Sequence, residues 1–477
     1  MGQHRATAID QVLTVAAMRA AEDALIAAGT TVDALMQVAG RGAAELVWRL
    51  AGRRRVTVLC GPGNNGGDGY VIAEALRERG GAVQVIAASE PRTPAALQAR
   101  RLYGGLVLGA DAAPKGEVLV DCLFGSGLAR PLEPAHLALL TGLAASHAHR
   151  IAIDLPSGVE SDSGELLNPG LPHWQLTVAL GAWKQAHFLM PAAATMGERR
   201  LVAIGCGASP GAAGVIARPH LAAPAADAHK YRRGLVAVVA GAMPGAARLA
   251  CMAAQGAGAG YVRLVTSASA LAGVDEAGAA DIVQTSFASL ADPRIGAVLV
   301  GPGLGRDDAA AQRLAAVLAH DHPLVLDADA LVLLRRGLLA DRTGPVVVTP
   351  HEGELSTLEQ ALELSAVGTK PDRARRLAAA LGAVVVAKGP DTVIAAPDGR
   401  TAFAHRASPW LSVAGTGDVL AGIVASRLAG RADPFDAACQ AVWLHGEAAR
   451  LAGPAFAASQ LAGSVRSAYA ACLTQGL

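Results

Sequence analysis

The chain has 477 residues, 52% hydrophobic but only 3% aromatic, so its interior must be packed from Ala, Val and Leu and its length calls for more than one core. Lys and Arg number 41 against 40 Asp and Glu, a net charge of +1 that excludes broad attraction to nucleic acid or to an anionic membrane; an anionic ligand must be held by local geometry. Cys60, Cys122, Cys206, Cys251, Cys439 and Cys472 form no CxxC pair and have no His at metal-ligand spacing, which excludes a zinc-built fold and fits a reduced, cytoplasmic protein.

At the N-terminus, Gln11 to Met18 is a short apolar stretch bounded by Asp10 and Arg19, with no convincing cleavage site, and is read as mature protein. Met1-Gly2 invites an acylation reading, but Ala6 stands where that pattern wants Ser or Thr. No uncharged apolar run reaches the roughly 18 residues that span a bilayer.

Residues 14–50 have helical spacing broken at Gly29 and predict two helices ahead of a sheet. A strand over 55–60 then runs into GPGNNGGDG, a glycine loop expected to precede a helix over 70–79. Strands are expected at 83–87, 118–122, 151–155 and 176–180, with crossovers between them, which predicts a mostly parallel sheet covered on both faces. The Gly, Ala and Pro of 211–228 read as a linker between a domain over 1–210 and another over 229–477. In the second domain, strands at 235–240, 262–266, 297–300, 324–327, 346–349 and 384–387 each end in a polar or glycine cluster. The fold class is α/β twice over: a Rossmann-like doubly wound domain, then a second α/β domain of different motifs.

Gly61 to Gly66 satisfies GxGxxG, with Glu90 available as the distal acid, but the run continues through Asn64, Asn65, Gly66, Gly67 and Asp68, a polar cluster that dinucleotide loops lack. Amides and a carboxylate among exposed backbone N–H groups suit a cation and phosphate together. VDCLFGSGLARP places Asp121 at a strand end before Gly125, Ser126, Gly127, Leu128, Ala129, Arg130 and Pro131. DLPSGV does the same with Asp154 and Ser157. Taken together, three polar loops at the carboxyl edge of one parallel sheet converge on one crevice.

Over about residues 10–205, from MRAAEDALIAAG to TVALGAWKQAH, the chain resembles the N-terminal NAD(P)H-hydrate epimerase domain of the bifunctional NAD(P)H-hydrate repair family. The resemblance implies that Asn64, Asn65, Gly66, Gly67, Asp68, Gly125 through Pro131, and Asp154 contact the hydrate. It also implies a potassium ion on Asn65, Asp121 and Ser157. Inversion at C6 needs a group that gives and takes a proton, and Asp154 is expected to be it. Glu160 departs from the Asp that the family usually carries after DxPSGV.

In the second half, WLSVAGTGDVLAG frees backbone N–H groups at a helix start, where the dipole favours phosphate, and sets Asp418 in the first turn as a base. With LDADAL at 326–331 it resembles the ribokinase-like superfamily, and no GxxxxGK[ST] loop occurs. Over about 229–475, from KYRRG to past AVWLHG, the chain resembles the ADP-dependent NAD(P)H-hydrate dehydratase domain. That resemblance implies an adenine-nucleotide site of Lys388, Gly389, Pro390, Asp391, Thr392 and Gly417, and a hydrate site of Ala246, Gly303, His351 and Asp418. ADP or ATP with Mg2+ would phosphorylate the C6 hydroxyl of NADHX or NADPHX, and loss of phosphate would restore the ring. Val332 departs from the family's usual Asn. A homo-oligomer is expected.

Three other readings stay open at this point. A ribokinase-like kinase of a vitamin precursor shares GTGD but has no use for GNNGGDG. A non-catalytic N-terminal binding module, as in RNA-processing scaffolds, is disfavoured by intact Asp121, Asp154 and Ser157. A Rossmann dehydrogenase leaves the second half unexplained.

Overall fold

Two helices, Val15–Ala27 and Val32–Ala51, precede the first sheet as expected, each begun by a threonine whose hydroxyl accepts a bond from the N–H three residues on. Gly29, left-handed at φ 102°, sits between them. The computed structural model describes residues 7–112, 114–267 and 281–473; Met1, Gly2 and Ala6, on which the acylation reading turned, lie outside these. Two units divide at Gly214/Val215.

The N-terminal unit is built on seven parallel strands in the order Val107–Leu108, Val83–Ala87, Val56–Cys60, Gly116–Cys122, His147–Ile153, Leu176–Leu180 and Glu198–Val202. Alternate residues of the central strands enter different cores. Val58, Cys60, Val118 and Val120 pack on one side, Leu59 and Leu119 on the other, so both faces are covered. Strand order reverses between Val56–Cys60 and Gly116–Cys122, which opens a crevice at their carboxyl ends. One expectation is corrected: the GNNGGDG run is not a loop, because the helix begins at Asn64 and extends to Glu78. The glycine content hid a helix start that tertiary packing demands.

In the C-terminal unit, the strands Val283–Thr285, Tyr261–Val265, Leu235–Val239, Ile295–Val300, Leu324–Leu326, Val346–Val348 and Val384–Ala387 run parallel in that order, followed by antiparallel Val393–Ala395 and Thr401–Phe403. The reversal lies between Leu235–Val239 and Ile295–Val300. Every residue of these two strands is buried or nearly so. The helix Thr416–Ala429 lies so close to the helix Pro244–Gly256 that a Cβ on Gly422 would fall 2.2 Å from Ala250 O.

Of the segment read as a linker, Ile216 and Leu221 are buried in the core of the C-terminal unit, and Ile216 N donates to Phe403 O at 2.9 Å. The few apolar residues among its Gly, Ala and Pro find a surface, so this stretch is a packed strap rather than a free connection.

Candidate active sites

At the crevice of the N-terminal unit, glycines serve closeness rather than unusual backbone angles. A Cβ on Gly61 would lie 1.7 Å from Leu123 O, and one on Gly66 1.9 Å from Gly61 O. This lets the start of the helix Asn64–Glu78 press against the loop after Gly116–Cys122 and aim its free N–H groups into the crevice. The resulting cavity, about 880 Å³, is lined by Asn64, Asn65, Asp68, Gly125 through Pro131, Asp154 and Lys184, with Arg19 and Glu22 contributed by the first helix. Gly66 and Gly67 are buried behind this wall, with Gly67 against Met36.

Asp154 occupies the left-handed region at φ 64°, a strained position for a residue with a side chain. Its Oδ1 accepts from Lys184 Nζ at 2.5 Å and its Oδ2 from Ser126 N at 2.8 Å. Burial pushes the Asp154 carboxyl up, but the Lys184 ammonium and these bonds outweigh it and hold the group below the usual carboxylate range. His187 Nε2 lies 2.9 Å from Asp154 O, and burial pushes its ring down to about 4, so it is a neutral brace. Asp68 behaves oppositely. Buried, and facing the charges of Asp154 and Glu22, its carboxyl is raised well above its ordinary value.

Asp121 and Ser157 lie beneath the cavity wall, joined by Ser157 Oγ to Asp121 Oδ1 at 2.7 Å and Ser157 N to Asp121 Oδ2 at 2.9 Å. Phe124 N donates to Ser157 Oγ at 2.8 Å, which ties the pair to the loop at Gly125. Asn65 reaches the same loop: a Cβ on Gly125 would lie 3.2 Å from Asn65 Cγ and 2.8 Å from Asp154 Oδ2. Asn65, Asp121 and Ser157 therefore gather around residues 123–125. Both polar atoms of the Asn65 side chain are buried without a hydrogen bond. The Asp121 carboxyl, fully buried, receives bonds only from the neutral Leu123 N, Ser157 N and Ser157 Oγ, and burial pushes it up to about 6.

The C-terminal unit holds a larger cavity, about 1140 Å³, lined by His351, Lys388, Gly389, Pro390, Thr392, Thr416 and Gly417. Lys388 Nζ would lie 3.4 Å from a Cβ on Gly417, so an ammonium stands over the N-terminus of the helix Thr416–Ala429. Its bonding partner is Asp327 Oδ1 at 2.7 Å, with Glu354 Oε2 at 3.7 Å. Burial alone would lower the Lys388 ammonium, yet Asp327 and Glu354 hold it above its ordinary value. In the first turn beside it, Asp418 is pushed up to about 6, first by burial and then by the charge of Asp327, against the pull of Lys388.

Asp391 does not line the cavity; its Oδ1 takes a 2.6 Å bond from Lys370, which also donates to Lys388 O and so shapes the KGPDT turn. His351 caps the helix Glu352–Ala361, its Nδ1 accepting from Gly353 N and Glu354 N, while its exposed edge faces the cavity. Ala246 and Gly303 meet each other, a Cβ on Gly303 falling 3.1 Å from Ala246 Cβ, but neither is among the residues lining this cavity.

Residues 32–186 match the family described as YjeF-related protein N-terminus, and residues 236–469 match NAD(P)H-hydrate dehydratase. A bifunctional NAD(P)H-hydrate repair enzyme from Gloeobacter violaceus is 36% identical over 467 residues, spanning 90% of this chain and 90% of that relative. The chain belongs to this repair-enzyme family. A second member, from Mycobacterium leprae, is 35% identical over 490 residues, 96% of this chain and 99% of its own. Among solved structures, the ADP/ATP-dependent NAD(P)H-hydrate dehydratase from Bacillus subtilis, co-crystallised with ATP/Mg2+, is similar at 30% identity and a TM-score of 0.46, covering 53% of this chain and 95% of that one. As a member of the repair-enzyme family, the chain carries an epimerase domain followed by a dehydratase domain.

Four residues of these repair-enzyme sites escaped the sequence reading. Lys184 and Asp327 lay within quoted motifs, GAWKQAH and LDADAL, but nothing in their spacing gives the ion pairs they form. Glu22 comes from a helix read as scaffold. His445, in AVWLHG, is pushed down to about 4 by burial and sits with Nε2 2.9 Å from Thr416 O, at the N-terminus of the helix Thr416–Ala429.

Proposed function

We propose that the N-terminal unit interconverts the R and S hydrates of NADH and NADPH at C6, and that the C-terminal unit uses ADP or ATP with Mg2+ to return the S hydrate to NAD(P)H. The observation that carries this reading is the Lys388 ammonium standing over the Gly417 helix end with Asp418 in the same turn. A phosphoryl chain fits between ammonium and backbone N–H groups, and Asp418 is placed to accept the proton of the attacking C6 hydroxyl. Lys388, Gly389, Pro390, Thr392 and Gly417 hold the nucleotide, with Asp391 fixing the turn. Ala246, Gly303 and His351 are assigned to the hydrate. Mg2+ enters on the nucleotide phosphates and neutralises their charge.

In the N-terminal unit, Asn64, Asn65, Asp68, Asp154 and the loop from Gly125 through Pro131 grip the hydrate, and Gly66 and Gly67 allow the close approach. A potassium ion suits Asn65, Asp121 and Ser157: the donors are hard oxygens, the Asn65 amide lacks a partner, and the buried Asp121 carboxyl has only neutral donors. When bound, such an ion would supply a fixed positive charge at the loop of residues 123–125. Six buried free cysteines suit a reducing cytoplasm, and no helix among the described residues is long and apolar enough to cross a membrane. We assign a homo-oligomeric state to the Ala- and Gly-rich surfaces.

The deciding experiment mixes purified protein with hydrated NADH and follows the return of NADH absorbance. Full recovery of an R and S mixture with ADP or ATP, and none without nucleotide, is expected. Recovery that is independent of nucleotide sinks the reading.

A further inference from the structure

We propose that Asp68 and Asp154 divide the proton work of epimerisation, Asp68 delivering a proton to the departing C6 hydroxyl on one face of the ring and Asp154 removing one from the water that attacks the other face. The inference rests on the epimerase reading and assigns roles within that site. Its basis is placement. Asp68 lies on the helix after Val56–Cys60, and Asp154 ends His147–Ile153; the strand between these two is Gly116–Cys122, whose loop carries Gly125. Asp154 Oδ2 and Asn65, one helical turn before Asp68, both close on Gly125 to within 2.8 and 3.2 Å of where its Cβ would stand. Both carboxyls line the cavity, borne by the elements that follow the two strands flanking Gly116–Cys122.

Their surroundings suit opposite duties. Asp154 accepts from Lys184 Nζ and Ser126 N, which favours its ionised form. Asp68 is buried to 8% exposure, its carboxyl makes no hydrogen bond to another described residue, and it faces Asp154, Glu22 and Lys184, with the Cys60 and Cys122 thiols behind it. Its carboxyl is raised while that of Asp154 is lowered. Two titratable groups pushed apart by their environments are the pattern of a divided acid and base.

In the step itself, the C6–O bond breaks as Asp68 gives its proton to the oxygen, which leaves as water with the bonding pair, while the ring-nitrogen lone pair forms the C6=N bond. Water then adds to the opposite face, its proton passing to Asp154 as the C6=N pair returns to nitrogen. Each turnover leaves Asp68 ionised and Asp154 protonated, the form that inverts the opposite isomer through the same two groups in reverse, and proton exchange with solvent interconverts the two forms.

The tests use the full chain. Asp68→Asn is expected to lower epimerisation kcat by about 10²-fold or more and to remove the high-pH limb of its rate profile. In the wild type that limb reflects loss of the Asp68 proton, in a cavity also holding Glu22, Lys184 and His187. A variant within threefold of wild-type kcat, or one that keeps the limb, overturns the proposal. Wild-type turnover in H2¹⁸O, which needs no variant to fold, must place ¹⁸O at C6 as each hydrate inverts; inversion with the original oxygen retained also overturns it. A wild type that does not epimerise at all refutes the epimerase reading instead.

Discussion

Lys388 Nζ, in the wall of the larger cavity of the C-terminal unit, and Asp327 Oδ1 meet at 2.7 Å, and Asp327 is 1% exposed. Breaking a buried pair from one side leaves the other charge stranded, at a cost of about 3–5 kcal/mol. Asp327→Ala should therefore lower Tm by several degrees and weaken nucleotide binding at least tenfold. Asp327→Asn, which keeps an acceptor, should retain most of the stability and lose affinity. Calorimetry of nucleotide binding checks both, and undiminished affinity in Asp327→Ala contradicts the pairing.

In the role proposed for it Asp418 has to be ionised to take the hydroxyl proton, and its carboxyl is pushed up to about 6. The dehydration rate should accordingly fall as pH drops through about 6 and level off above it. Asp418→Ala should abolish dehydration while nucleotide binding stays measurable. Retained turnover in that variant refutes the assignment.

Lys184 is 1% exposed and holds Asp154 in its ionised form. In Lys184→Met the carboxyl is left buried without its cation and takes up a proton, so epimerisation at neutral pH should drop by about 10²-fold or more, with dehydration of the S hydrate unchanged. Because the folded-state pKa of Asp154 is depressed, the stability it contributes is present above the ordinary carboxylate range and lost as pH falls through the depressed value. The Tm gap between wild type and variant should therefore narrow on acidification. A gap that widens toward low pH is the contrary result.

Gly66→Ala puts a methyl 1.9 Å from Gly61 O, backbone that cannot step aside, and should cost about 3 kcal/mol or more. Gly63→Ala, three residues earlier, meets nothing within 4 Å and should be nearly neutral. Equal Tm losses in the two variants count against close backbone approach as the reason for these glycines.

Potassium should raise epimerisation over the same concentration of lithium, and Asn65→Ala should erase the difference. A preference that survives Asn65→Ala places the ion elsewhere.

Much of the fold was legible because buried parallel strands are short β-branched runs closed by glycine or polar residues. The strands at 83–87, 176–180 and 384–387 stand where their apolar runs predict. The start at Asn64 was not legible, since glycines needed for contact with Leu123 look locally like loop. Strands Trp183–Lys184 and Glu198–Val202 were missed for a related reason: the first has two residues and pairs with Val12 and Leu13 far back in the chain, and the second is largely charged. The polar loops named the two sites, but the ion pairs within them, Lys184 with Asp154 and Lys388 with Asp327, announce themselves only through three-dimensional contact.

Where Gly422 meets Ala250, two helices touch backbone to backbone with no side chain between them to yield. The N-terminal end of the helix Thr416–Ala429, to which we assign the phosphates, is thus anchored from behind like a lens clamped in its mount, and its direction is set before any ligand arrives. Tolerance to substitution should be least along that seam, little more than one turn from Gly417 and Asp418, where even a single added methyl tilts their aim.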